Sequence, residues 1–257
     1  MKLSILIILA TFGLVSALWA EDTAVISLTT NEQAEIKQSL SAFERGEIGL
    51  DEASGLPNSC DKVVSYYVLH TNDVSVKMKL PISRSFAMSE QYSEAAKLAQ
   101  EYINVYSNDW HGWRVLGGAN MAMQLYDQAV SAYTNAVRLG DEEDYAALGA
   151  AAWAADRLDV LQDTVVPRLL VSKDDTARFS KEKRLEMRMI LAGYSLRVDK
   201  QDIFTEALDG VDFQDVLHRD DLKQLVIVGC ERFKGKDIDN IRRKLEAASK
   251  SEAKPLQ

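Results

Sequence analysis

An internal periodicity of about 34 residues constrains this chain more than any other feature. Between Asn108 and Gly140, large and small apolar residues recur at helical spacing: Trp113, Leu116 and Gly117, then Ala129, Tyr133 and Ala136. Moved back 34 residues, Tyr126-Asp127-Gln128-Ala129 falls on Tyr92-Ser93-Glu94-Ala95, Tyr133 on Ala99, and Ala136 on Tyr102. Moved forward 32, the aromatic of Trp113 and the Leu116-Gly117 pair fall on Tyr145 and Leu148-Gly149. Self-similarity at such a period is the mark of a repeat architecture.

Each unit reads as two amphipathic helices. In the best-defined one these span Trp110 to Met123 and Tyr126 to Leu139, and Gln124-Leu125 is their only connection. So short a link forces an antiparallel hairpin. Gly117 and Ala129 then belong where the two helices cross, with Trp113, Leu116 and Tyr133 filling the space beside them. A mid-helix glycine costs up to about 1 kcal/mol relative to alanine, so Gly117 implies a partner too close for a side chain. Gly140 supplies the stop.

These residues resemble the tetratricopeptide repeat (TPR) family. The match rests on Trp113, Leu116, Gly117, Ala129, Tyr133 and Ala136, supported by Tyr92, Ala95 and Ala99 before and by Tyr145, Leu148 and Gly149 after. It covers residues 76–156. Three positions depart from the family pattern: Asn120 replaces an aromatic, Asp141 replaces the closing proline, and Pro81 sits inside a first helix. The resemblance implies an all-α, right-handed superhelix (a solenoid) of antiparallel helix pairs, whose first helices line a concave groove for a protein or peptide segment. By repeat phase the groove would present Arg84 and Met88, then His111, Arg114 and Met121, then Trp153. Arg84 and Arg114 would be cations for a carboxylate, and Met88 and Met121 adaptable apolar contacts.

Helical patterns continue through 157–250 as degenerate hairpins and a charged cap, and residues 251–257 read as a flexible tail. Residues 21–75 form an N-terminal element, read as helical, in which Val74 to Pro81 alternates like a strand. Residues 1–20 have the layout of a secretory signal peptide: Lys2, an apolar run from Leu3 to Val15, and small residues at Ala17 and Ala20 suited to cleavage. That run is shorter than the roughly 20 residues that cross a bilayer. The expectation is an exported protein, periplasmic or secreted, with no integral membrane segment after cleavage.

The net charge of −9 argues against a nucleic-acid partner. Cys60 and Cys230 are two thiols, open to pairing in an oxidising compartment or to separate burial. No catalytic constellation emerges. His70, His111 and His218 lack metal-ligand partners at helical spacing, and neither a phosphate loop nor a G-x-S-x-G elbow is present. The run Asp141 to Asp144 suits a helix start better than a calcium loop. No metal or other cofactor is expected. The chain therefore reads as a non-catalytic scaffold or adaptor. Self-association through an apolar patch on residues 222–233 is the alternative. An enzyme site joining His70 and a carboxylate, between the N-terminal element and the repeats, is a third.

Overall fold

A computed structural model describes residues 26–54, 59–140, 144–171 and 180–252. The segment read as a signal peptide lies outside the described residues, as does the tail from residue 253. Among the described residues every regular element is helical and none is a strand. No described helix is long and apolar enough to cross a membrane. The chain forms two compact units that meet in sequence between Ala155 and Asp156.

The first unit opens with α1 (Thr30–Arg45). Thr29 and Glu32 form a reciprocal capping box at its start, and Gly46 closes it at φ 76°. The short α2 (Leu50–Ala53) and α3 (Cys60–Leu69) follow. The strand-like alternation at 74–81 does not form a strand. Its last residues instead enter α4 (Lys79–Met88), with Pro81 in the first turn, where its missing N–H has no intrahelical partner to lose. Then come α5 (Tyr92–Ile103), α6 (Trp110–Ala122), α7 (Tyr126–Arg138) and α8 (Tyr145–Ala154). Consecutive helices from α3 to α8 pack on one another, so the N-terminal element and the repeat region share one unit. Its core includes Leu40, Val64, Ile82, Phe86, Ala95, Leu98 and Ala119. A second cluster holds Leu80, Ala99, Tyr102, Ile103, Leu116 and Ala132.

One turn recurs in this unit. Glu90 and Gln124 adopt left-handed φ of 61° and 62°. The following N–H groups, of Gln91 and Leu125, reach back to the Phe86 and Asn120 carbonyls at 2.9 and 2.8 Å. The carbonyls of those same two residues then accept from Ala95 and Ala129, opening the next helix. Each helix is thus closed and its successor begun within three residues, which folds the pair back on itself. The second unit contains the same turn at Asp199, φ 60°, with Lys200 N–H to Ser195 O at 2.9 Å.

Close approach explains the mid-helix glycines. A Cβ on Gly117 would lie 2.9 Å from Tyr133 ring carbons of α7, and one on Gly112 2.6 Å from Ile103 Cγ2 of α5. Glycines five residues apart therefore seat α6 against both neighbours. Ala129 and Ala136 are fully buried, Tyr133, Leu116 and Leu148 nearly so, and Gly149 is buried in α8. Tyr145 and Trp113 are half-buried, and the Trp113 indole donates to the Ser107 carbonyl at 2.8 Å.

In the second unit, α9 (Leu158–Val160) runs through a π-helical turn, Leu161–Val165, into α10 (Val166–Val171). Pro167 accounts for the widened turn, because it cannot donate to the carbonyl four residues back. Then α11 (Lys181–Val198) pairs with α12 (Gln201–Ala207). The helix α13 (Phe213–Leu217), which the periodicity does not reveal, precedes α14 (Asp220–Arg232) and α15 (Lys236–Glu252). A Cβ on Gly229 would fall 2.0 Å from Phe204 Cζ, so α14 crosses α12 at its glycine. The α15 helix continues to Glu252, into the segment expected to be tail. Cys60 and Cys230 are both buried, each in its own unit.

Candidate functional site

Helices α2, α4, α5 and α6 line a groove of about 690 Å³. Arg84, Ala87 and Met88 come from α4, one turn apart. Trp110, His111, Arg114, Val115 and Gly118 come from α6 at helical spacing. Gly49, Leu50 and Asp51, at the start of α2, close one side, and Tyr92 of α5 contributes to the lining. The surfaces of Leu50, Ala87, Met88, Tyr92, Val115 and Ala119 are apolar, and the charges stand around them.

Those charges are already paired. Arg84 donates to Asp51, and this pair is solvent-accessible, with side-chain exposures of 35% and 84%. Exposed pairs of this kind contribute little, ~0–1 kcal/mol, and exchange readily. Arg114 differs. Its Nε donates to Asp144 Oδ1 at 2.8 Å, and the Asp144 side chain is only 3% exposed. Arg114 also lies over the Trp110 ring, 5.2 Å from its centroid. Asp144 occupies the start of α8 but makes no side-chain cap there. Standing at the helix start, as the acidic run was expected to, it also joins α8 to α6. Burial, and next the Asp144 charge, push the Tyr133 phenol well above its ordinary value. Arg114 is thus committed to structure, while Arg84 is exchangeable.

At the mouth of α6, Asp109 caps the helix by accepting from the His111 backbone N–H at 3.0 Å. It also holds His111 Nδ1 at 2.7 Å and the Tyr102 hydroxyl at 2.5 Å. Burial alone would raise the Asp109 pKa, but the hydrogen bonds from His111 and Tyr102 bring it below the usual carboxylate value. The His111 ring stacks on Trp110 with centroids 3.5 Å apart.

Arg84, Met88, His111 and Arg114 therefore meet in one groove. Met121 and Trp153 do not line it: Met121 lies a turn past Gly118, and α8, which carries Trp153, contributes no wall. Sequence reasoning missed Leu50 and Asp51, because nothing in the repeat phase connects residues 49–51 to α4. It also missed Gly118, which the pairing with Gly117 could have flagged: a Cβ there would meet nothing nearer than Tyr133 Oη, at 3.6 Å.

His70 bonds Gln33 Oε1 through Nε2 at 3.0 Å, and its ring lies tilted against Tyr66 with centroids 4.6 Å apart. Its carboxylate neighbour, Asp73, lies 3.7 Å away with its side chain 66% exposed, and His70 does not line the groove. The α14 face expected to carry an apolar patch buries Leu222, Val226, Cys230 and Phe233, and leaves Val228 exposed. Among the described residues, no group of three His, Cys, Asp or Glu side chains is placed to hold a metal ion. No protein family matches the chain, and no curated protein sequence matches it either.

Proposed function

We propose that this chain is an exported, TPR-like repeat protein that holds an extended protein or peptide segment in the groove between α4 and α6, as a scaffold or adaptor without catalysis. In this reading its helix pairs stack as a right-handed superhelix. The observation that carries it is the groove itself, an apolar trough lined by first helices of successive pairs and edged by an exchangeable arginine. A volume of 690 Å³ falls in the range of ligand sites. Arg84 takes a carboxylate of the bound segment in exchange for Asp51, and Met88, Tyr92 and Val115 take its apolar side chains.

A photo-crosslinking residue at position 88 tests this in cells that make the protein. The expected result is a discrete cross-linked partner that is lost on Arg84→Glu and absent when the cross-linker stands at 244. Arg114 is left intact, since its removal would strand Asp144. A partner captured equally with and without Arg84→Glu would remove the groove from the proposal. Export is tested by the N-terminus of the cellular protein, expected at Leu18 or Glu21. A full-length chain beginning at Met1 would overturn it.

A further inference from the structure

We propose a second site that adjoins the groove and shares Trp110 and His111 with it: the hollow formed by the α5–α6 connection and the first turn of α6 binds a basic side chain, an alkyl stem ending in an ammonium or guanidinium. The hollow is a shallow, open one of about 530 Å³, lined by residues 105–111. Its charge is one-signed. Asp109 is the lining residue with a full charge, and no Lys or Arg lines the hollow.

The hydrogen-bond arithmetic favours a donor as ligand. A carboxylate offers about four lone-pair sites. At Asp109, Oδ1 serves the His111 backbone and Nδ1, and Oδ2 serves Tyr102, so Oδ2 keeps one site. The Asp109 side chain remains 32% exposed. An ionised carboxylate can only accept, so the proton of a neutral His111 ring sits on Nδ1 and leaves Nε2 as a second acceptor. With the His111 ring neutral, these two side chains present two acceptors and no donor, which match a cationic N–H cluster and repel a carboxylate.

The apolar part of the hollow suits the stem. Val105 is 61% exposed and Tyr106 38%, although both are large and hydrophobic. Tyr102 packs against the Tyr106 ring at 4.9 Å between centroids, and the exposed part of Tyr106 remains open to a cation or its methylenes. Trp110 contributes less, since His111 stacks on it and Arg114 lies over it.

The test titrates the ¹⁵N-labelled protein with Nα-acetyl-lysine methylamide and, separately, with its uncharged isostere Nα-acetyl-norleucine methylamide at low salt. The expected result is a saturable shift of the 105–111 amides with the lysine probe and none with norleucine. Tyr106→Ala should weaken lysine binding at least fivefold, and Asp109→Asn should do the same. Because Asp109 also caps α6, the exposed Tyr106 provides the variant that leaves folding aside. Arg84→Glu should leave this binding unchanged, which separates it from the groove. Absence of saturation, equal binding of norleucine, or unweakened binding by Tyr106→Ala would overturn the proposal.

Discussion

Alanine at position 117 should destabilise the protein relative to alanine at position 118, although the two glycines are adjacent in one helix. A Cβ at 117 would lie 2.9, 2.9 and 3.0 Å from three Tyr133 ring carbons. Carbon pairs rest at about 3.5–4.0 Å, so three contacts would overlap by roughly half an ångström or more. Tyr133 is only 7% exposed, so its ring is held by its neighbours. Overpacking of this kind costs about 1–3 kcal/mol. At 118 the nearest atom is 3.6 Å away, an ordinary contact. Both substitutions gain about 1 kcal/mol of helix propensity and restrict the unfolded chain equally. These terms cancel in the difference, leaving Gly117→Ala less stable than Gly118→Ala by ~1–3 kcal/mol. Urea unfolding followed by circular dichroism measures it, with Gly118→Ala expected at or above wild type. Repeating the pair in a Tyr133→Leu background should narrow the gap. Equal stability of the two variants, or a more stable Gly117→Ala, would refute the close-approach argument.

Arg114→Met should destabilise by ~2–3 kcal/mol, because it strands the buried Asp144 carboxylate; the partial exposure of Arg114 sets the lower end of the range, and adding Asp144→Asn should restore part of the loss in a double-mutant cycle. Gln124→Gly should stabilise by ~0.5–1 kcal/mol, since glycine occupies the left-handed turn without the strain of a Cβ, and thermal unfolding reads the gain. Acid should weaken the fold through Glu32, whose hydrogen bonds from Lys62 first, then Thr29, lower its pKa from 4.5 to about 2. A depressed carboxylate contributes stability that is fully present above 4.5 and lost as pH falls towards 2, so Glu32→Gln should flatten the unfolding midpoint between those values. Burial raises the Cys230 pKa and encloses both thiols, so Ellman's reagent should react with neither in the native protein and with both in urea.

Much of the first unit was legible in the chain. The sequence pattern placed α6 and α7 within a residue or so of their ends, because a buried stripe at helical spacing needs no distant information. Gly140 marked a stop through its own backbone preference, at φ of 112°. Repeat phase also placed Arg84, Met88, His111 and Arg114 on a shared surface. It failed at Met121 and Trp153, where the extent of the groove depends on which neighbouring helix supplies a wall. It was also silent on α13, whose five residues are too few to show a period.

The sequence alone therefore determined the helices of the best-defined hairpin, their pairing and the places where their backbones must come close, since these follow from local periodicity, short links and the missing Cβ of glycine. Tertiary structure decided the state of the charges. Arg84 and Arg114 have the same side chain and both line the groove, yet one meets the exposed Asp51 and the other the buried Asp144. Those partners lie 33 and 30 residues away in the chain. Only folding brings them within hydrogen-bond reach, and the burial that folding imposes separates an exchangeable cation from a structural one.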